Sequence, residues 1–291
     1  MRRGLVAVAV LALALSACGG TSPHRAITTT TAPPGAATAP LRTTATRRKR
    51  RSLLLRNARP QADWRPYTGP VPILVYHALG PAPRGAPFPG LYVSYRDFKD
   101  EMAWLHTHGY QAVTLNEVMK AWFHGGTLPD KPIVITFDNG YPEQVTFAPH
   151  VMAKYGWPGV LNEITENHLH RRQLWPIIHR GWEVDSHSLT HPNLTTEDPA
   201  ELRAQLVDSR EYLRKTFHIP VNSFCYPSSR YSAAVIAAVK AAGYSNALTE
   251  NAGYASSSDP YLLDRFEIES GVPGLAHDLL AYQPPGYGSS S

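Results

Sequence analysis

The sequence predicts an α/β domain in which strands alternate with helices around a parallel sheet. Three observations support this class. The run at 133–137 is apolar and β-branched, as expected for a strand buried on both faces. Amphipathic helical patterns, such as the one at 95–106, recur between shorter apolar stretches. Loop residues such as Gly125 and Gly126 separate these segments.

Each element can be placed in order along the chain. Strands are predicted at 71–76, 111–113, 133–137, 159–164, 182–186, 223–226, 244–248 and 265–268. Helices are predicted at 95–106, 115–123, 143–155, 197–217 and 233–242. The stretch 165–172 is predicted to be a polar insertion. We therefore place one domain at 71–291, a length that suits a single core.

The first residues have the pattern of an export signal. Arg2 and Arg3 precede an apolar run at 5–15, which is shorter than a typical membrane span. The run ends in Leu-Ser-Ala-Cys at 15–18, which resembles a lipobox. Residues 1–18 are therefore predicted to be a lipoprotein signal, with a lipid on Cys18 that anchors the protein to the outer face of the bacterial cell membrane. Ordinary signal cleavage just before this cysteine is the alternative.

The segment after the signal differs in composition from the rest. Residues 19–70 are rich in Thr, Ala, Pro and Arg, so we predict a disordered linker. Residues 1–70 contain 12 Lys and Arg and one acid, whereas the 221 residues that follow contain 16 basic and 22 acidic residues. The basic run at 47–51 suits contact with anionic lipid or wall polymer, or simple solvation. The acidic domain argues against nucleic acid as a partner.

Two polar stretches follow predicted strands. The first is Asp138 and Asn139, directly after the central strand, where barrel enzymes place their chemistry. An Asx turn in which Asp138 caps the next helix is the alternative. The second is His187 and His191, four residues apart, and two histidines with one oxygen ligand form a recurrent open zinc site. A lone histidine pair is usually a surface feature, but Asp138 at the end of another strand favours a metal site.

These residues resemble the motifs of the polysaccharide deacetylases of the NodB-homology type. The family's Thr-Phe-Asp-Asp-Gly corresponds to 136–140 with one change, Asn139, and its His-Ser/Thr-x-x-His corresponds to 187–191 without change. The resemblance runs from about 71 to about 268. It implies a distorted, incomplete (β/α) barrel. It also implies an enzyme that uses a divalent metal, zinc or else cobalt or nickel, to remove N-acetyl groups from a cell-surface or extracellular polysaccharide.

The resemblance also assigns roles to residues. Asp138 would be the general base, while Asn139, His187 and His191 would hold the metal. We then expect Asp138→Asn to abolish turnover and to leave folding and metal content nearly unchanged. The opening at 72–79 resembles a circularly permuted subgroup that acts on poly-N-acetylglucosamine, and this makes its histidine, His77, the general acid. A structural histidine at a strand end is the alternative.

The family's third motif is altered in this chain. Cys225 falls at the position of an arginine that orients the base, and Ser228 falls at that of a tyrosine. The backbone N–H of Ser228 could still polarise the substrate carbonyl. Arg265 could supply the missing cation, or it could form a salt bridge at the rim with Asp264 or Glu267.

One carboxylate could compensate for the uncharged Asn139. Asp185 lies two residues before His187, so both side chains would face the same side of a strand. A turn or capping role is the alternative. The changes at Asn139 and in the third motif also leave open a second function, a relative that binds N-acetylated glycan without hydrolysing it. The sequence indicates nothing about the oligomeric state.

Overall fold

The computed structural model describes residues 54–166, 169, 171–269 and 271–288. The predicted signal, Cys18 and most of the predicted linker lie outside the described residues. Among the helices that are described, none combines the length and the apolarity needed to span a bilayer.

Thirteen strands and eight α-helices are present in the described part of the chain. The strands are β1 (Arg65–Pro66), β2 (Val71–Tyr76), β3 (Ala78–Leu79), β4 (Tyr92–Val93), β5 (Gln111–Val113), β6 (Thr127–Leu128), β7 (Pro132–Asp138), β8 (Val160–Glu163), β9 (Glu183–Ser186), β10 (Ser223–Cys225), β11 (Asn246–Leu248), β12 (Tyr254–Ala255) and β13 (Phe266–Glu267). The helices are α1 (Tyr95–Thr107), α2 (Leu115–His124), α3 (Pro142–Thr146), α4 (Ala148–Met152), α5 (Arg171–Ile178), α6 (Pro199–Phe217), α7 (Ala233–Ala241) and α8 (Gly271–Ala281).

A nine-stranded sheet organises the domain. Its order is β11-β10-β9-β8-β7-β2-β12, with β13 paired to β2 and β5 paired to β7. All pairings are parallel except that of β12 with β2. A single parallel bridge, Leu248 to Leu263, joins β11 to the residues before β13. A closed barrel would need a full strand pair at this point, and the sheet has only this one bridge. The predicted α/β fold with a distorted, incomplete barrel is therefore confirmed.

Strand β7 shows why the sequence has a continuous apolar run at this point. All seven of its residues are buried. Ile133, Ile135 and Phe137 belong to the larger apolar cluster, whereas Val134 belongs to a second cluster on the opposite face. Because side chains alternate along a strand, Asp138 lies on the same face as Val134. The strand is therefore packed on both faces and ends in a carboxylate.

The helices differ from the predictions at three places. The segment predicted as a polar insertion continues into α5, which buries Leu174 and Ile177 one turn apart. Helix α8 was not predicted, because its Gly-rich start hides the pair Leu275 and Leu279 that it buries. The helix predicted at 143–155 is instead two short helices, α3 and α4, since a proline in the first turn of α4 cannot continue the backbone ladder.

The predicted boundary between linker and domain at residue 71 is too late. Leu55 and Trp64 are buried, and β1 pairs with β6. The backbone N–H of Leu55 also donates to the carbonyl of Arg180 at 2.9 Å. The described part of the predicted linker, from residue 54, thus packs as part of the domain. Isolated apolar anchors such as these have no periodicity that the sequence analysis could detect.

Candidate active site

The predicted site residues converge at the carboxyl ends of the parallel strands. Here the chain leaves β2, β7, β9 and β10, and a cleft of about 650 Å³ opens beside His77, Asn139, His191 and Ser228. Asp138 lies at the base of this region and is fully buried. Carboxyl ends of neighbouring parallel strands meet at one edge, so residues far apart in sequence become neighbours here.

Asp138 is held by four donors. Arg265 Nη1 and Nη2 donate to Oδ1 and Oδ2 at 3.0 and 2.8 Å, and Asn162 Nδ2 donates to Oδ1 at 2.7 Å. The thiol of Cys225 donates to Oδ2 at 3.2 Å. These contacts engage about four lone-pair positions, the full capacity of a carboxylate. Although burial opposes ionisation, the Arg265 guanidinium holds the pKa of Asp138 well below its usual range.

Arg265 takes the position of an orienting cation, one of the two alternatives considered from the sequence. It is fully buried and pairs with Asp138, and among the described residues it forms no salt bridge at the rim with Asp264 or Glu267. Its Nη2 also donates to Cys225 Sγ at 3.2 Å. Burial raises the pKa of the Cys225 thiol well above its ordinary value, so this group is a neutral donor. The residue directly before β13 thus supplies the arginine that β10 lacks.

The two histidines are arranged as neutral ligands. His187 Nδ1 lies 2.9 Å from the carbonyl oxygen of Cys225, which orients the ring and leaves Nε2 available. The rings of His187 and His191 are 4.6 Å apart and inclined at 74°. Burial lowers the pKa of His187 to about 4 and also lowers that of His191. Both imidazoles are therefore neutral at neutral pH, the form that binds metals.

Asn139 presents an oxygen without a partner. Its backbone has φ of 80°, and its N–H donates to the carbonyl of Asn162 at 3.1 Å. Its Oδ1 is buried and accepts no hydrogen bond, which costs free energy unless a ligand is present. Gly140 follows, where a Cβ would collide with the carboxylate of Glu163. One such oxygen together with His187 and His191 is the N,N,O donor set of open zinc sites, so these residues fit a divalent metal.

Two carboxylates flank His77: Glu250, which the sequence did not indicate, and Glu267, which it indicated only as a possible partner of Arg265. The His77 side chain is 9% exposed; its Nε2 lies 3.9 Å from Glu250 Oε1, and its Nδ1 lies 3.6 Å from Glu267 Oε1. Burial lowers the pKa of His77, while Asp138 and Glu267 oppose the shift. Donor atoms of His77, Asp138 and Glu250 all lie within 4.8 Å of one another. Glu250 lies just after β11, and Glu267 lies in β13. This position near a strand end is the only sequence feature that could have marked them as site residues.

Asp185 does not lie where a compensating charge was predicted. Its Oδ1 accepts from the backbone N–H groups of Asn222 and Ser223, each at 3.0 Å, at the start of β10. The His187 ring instead meets the end of β10, at Cys225, and two strand residues span about 7 Å. Asp185 therefore joins β9 to β10, and the prediction that it compensates for the missing charge is corrected.

Unusual backbone conformations concentrate around this site. Among the described residues, six that are not glycine have positive φ, and five of them belong to the segments that border the site: Asn139, Ser188, His191, Ser228 and Ser229. Such conformations cost free energy and persist where surrounding contacts enforce them, often at functional sites. Ser228, with φ of 49°, lines the cleft, as its predicted role requires.

Comparisons with known proteins agree with this geometry. The sequence model of the family described as polysaccharide deacetylase matches residues 125–247. YxkH of Bacillus subtilis, which carries a polysaccharide deacetylase name, is 28% identical over 212 residues, or 71% of this chain and 74% of the relative. A poly-β-1,6-N-acetyl-D-glucosamine N-deacetylase of Staphylococcus aureus is 24% identical, covering 58% of this chain and 66% of the relative. The Streptococcus pyogenes deacetylase PplD, solved in complex with acetate, superposes with a TM-score of 0.68 at 24% identity, covering 75% of this chain and all of PplD.

Proposed function

We propose that this chain is a member of the polysaccharide deacetylase family and a metal-dependent hydrolase that removes N-acetyl groups from an extracellular N-acetylglucosamine polymer. The observation that carries the proposal is that the buried Asp138 carboxylate lies within 4.8 Å of ring nitrogens of both His77 and His187, beside a cleft that His77, Asn139 and His191 line. The named activity of the Staphylococcus aureus relative supports the choice of polymer.

In this proposal, Asn139, His187 and His191 hold the metal, with zinc the best match to the donor set and cobalt or nickel as alternatives. The metal, when bound, supplies Lewis acidity that polarises the amide carbonyl and makes water more acidic near neutral pH. The hydrogen bond between His187 and the carbonyl of Cys225 keeps the ring in a fixed orientation toward this donor set.

The remaining residues move protons and hold charge. Asp138 takes the proton of the attacking water, and the thiol of Cys225, the weakest of its four donors, is the contact that the water displaces. Arg265 keeps the Asp138 carboxylate in place and ionised. His77 gives a proton to the departing amine. The backbone N–H at Ser228 supports the oxygen on which negative charge develops.

The alternative function is glycan binding without hydrolysis. The uncharged amide of Asn139, where the family has a carboxylate, is the observation that favours it. The structure offers one argument against it, because the buried pair of Asp138 and Arg265 keeps a base and its orienting cation together despite the altered third motif.

Acetate release separates the two functions. Purified protein is incubated with N-acetylglucosamine oligomers of β-1,6 and β-1,4 linkage, with chelator and again after zinc is restored. We expect release from at least one oligomer, its loss with chelator and its recovery with zinc. Oligomer binding without acetate release under any metal condition would overturn the proposed hydrolysis in favour of glycan binding.

The role of His77 predicts an effect that depends on the leaving group. His77→Ala should lower kcat on an N-acetyl amide by about 10²–10⁴-fold, because the amine cannot depart unprotonated. The loss on an aryl acetate should be much smaller, since an aryl oxide leaves without an acid. Kinetics on both substrates with one enzyme preparation provide the measurement. An equal loss on both would assign His77 a structural role.

The role of Asn139 predicts a gain in metal affinity. Asn139→Asp should tighten zinc binding by about 10- to 100-fold, since a carboxylate replaces a neutral amide oxygen at a modest desolvation cost. Competition with a chromophoric chelator measures the dissociation constants of both proteins. Asp185→Ala is the matched comparison, and it should leave zinc affinity unchanged because Asp185 bonds the start of β10. Identical affinities for Asn139→Asp and the parent would remove Asn139 from the metal site.

We also propose that the enzyme works outside the cell, held to the membrane by lipid on Cys18. The motif at 15–18 and the apolar run before it support this location. Recovery of the protein from membranes, and of Cys18→Ser from the medium, would agree with it; membrane retention of Cys18→Ser would count against lipid at this residue.

A further inference from the structure

The cleft extends well beyond the reacting groups. The loop 87–91 also lines it, and Glu267 and Glu269 line both the cleft and an adjoining cavity of about 230 Å³. Asp278 lies in that second cavity. We call Glu267, Glu269 and Asp278 the acidic groove. It is continuous with the site of the proposed chemistry and leaves room for a neighbouring part of a polymer.

Among the described residues, the negative charge of the acidic groove has no lysine or arginine beside it. No lysine or arginine lines the cleft or the adjoining cavity within the described part of the chain. Arg265, the nearby cation, is buried and paired with Asp138. Burial raises the pKa of Asp278; the adjacent His277 opposes the shift, and the neighbouring Glu269 adds to it. The repulsion between neighbouring carboxylates falls when a cation binds between them.

Two further features of the cleft indicate a sugar ligand. His77 is about nine-tenths buried and lines the cleft, and its Nδ1 has no hydrogen-bond partner although Glu267 lies 3.6 Å away, so an unsatisfied polar group lies beside the acidic groove. Phe88 also lines the cleft, is 67% exposed and offers a flat apolar surface of the kind that sugar rings cover. The Phe88 loop borders the acidic groove, because a Cβ at Gly90 would lie 3.4 Å from Glu269 Cδ.

We propose that the acidic groove and Phe88 form a subsite for a glucosamine residue with a free, protonated amine, next to the acetylated residue that is hydrolysed. This inference rests on the proposed deacetylase function. Each hydrolysis converts a neutral acetamide into an amine that is largely protonated at neutral pH. The product of one turnover is therefore the preferred neighbour for the next, and deacetylation proceeds in blocks along a partly deacetylated chain.

The test compares two β-1,6-linked pentasaccharides, one fully acetylated and one with a single free amine. For the unmodified protein, kcat/KM should be about tenfold higher on the amine-bearing pentamer at low salt, and this ratio should shrink as salt screens the charges. Glu269→Gln and Asp278→Asn should each reduce the ratio by about two- to fivefold, the range for single exposed ion pairs. Asp208→Asn, which removes an exposed charge from α6, is the matched control and should preserve the ratio.

A binding measurement keeps this test independent of catalysis. Calorimetry with the fully deacetylated pentamer should show binding that weakens in Glu269→Gln and with added salt. Phe88→Ala should also weaken it, whereas Phe123→Ala, an exposed phenylalanine outside the cleft, should not. A ratio of one or below in an active enzyme, or equal binding by Glu269→Gln and the parent, would overturn the subsite. Amine binding through Glu269 without any acetate release would retain the subsite and overturn the proposed function.

Discussion

Replacing Arg265 with methionine is expected to lower the free energy of unfolding by about 3–5 kcal/mol, the cost of leaving one member of a buried ion pair alone. Both side chains of the Asp138–Arg265 pair are fully buried, and two hydrogen bonds join them. Methionine fills much of the same volume but leaves the Asp138 carboxylate without a cation. Urea denaturation followed by circular dichroism gives the measurement.

Two comparisons make the Arg265 experiment decisive. The double variant Asp138→Asn with Arg265→Met should recover much of the lost stability, because no unpaired charge then remains. Arg214→Met removes an arginine from an exposed pair with Glu211 and should cost less than about 1 kcal/mol. If Arg265→Met were as mild as Arg214→Met, the buried pair would not carry the stability assigned to it. The double variant stays informative even if the single variant fails to fold.

Asp138→Asn is expected to lower turnover by about 10²–10⁴-fold, because an amide cannot take the proton of the attacking water. Zinc affinity should stay within about threefold of the parent, since Asp138 is not among the proposed ligands. The structure changes one part of the sequence-based expectation, that folding would be nearly unaffected. The variant leaves Arg265 buried and unpaired, so stability should fall as well. Rates are therefore compared below the unfolding midpoint of the variant.

Glu250→Gln is the comparison that tests the identity of the base. Glu250 lies in the same group of donor atoms as Asp138 and His77, and its carboxylate faces the cleft. Burial raises its pKa to about 7, and the nearby Asp138 and Glu267 add to the shift, so it is the other carboxylate suited to proton transfer near neutral pH. Full turnover in Asp138→Asn with a large loss in Glu250→Gln would transfer the base role to Glu250. Metal loss that parallels the activity loss in Asp138→Asn would instead make Asp138 a ligand.

Much of the site could be predicted from the sequence because each motif lies within a short stretch of the chain. Asp138 and Asn139 are adjacent, and His187 and His191 lie within one short turn, so strand pattern and spacing predicted the edge of the sheet they share. The family resemblance and the α/β barrel class follow from the same two motifs and from alternating strands and helices. The family model matches residues 125–247, in agreement with the resemblance, and the sheet confirms the fold class. Repeating patterns of this kind are visible in the sequence because they arise within single elements.

Contacts between distant elements were decided only by the tertiary structure. Arg265 and Asp138 are 127 residues apart, and they meet because β7 and β13, which directly follows Arg265, both pair with β2. The pairing of β13 with β2 also places Glu267 beside His77, and the bridge from β11 to the residues before β13 brings Glu250 to the same place. Asp185 is a case in which the sequence-based prediction was wrong. Asp185 contacts the start of β10 and His187 contacts its end, because contacts across a sheet depend on the register of the strands. The periodicity of the sequence reveals which face of an element a residue occupies. The pairing of strands and the closure of the sheet depend on non-local packing, and they determine which residues it contacts.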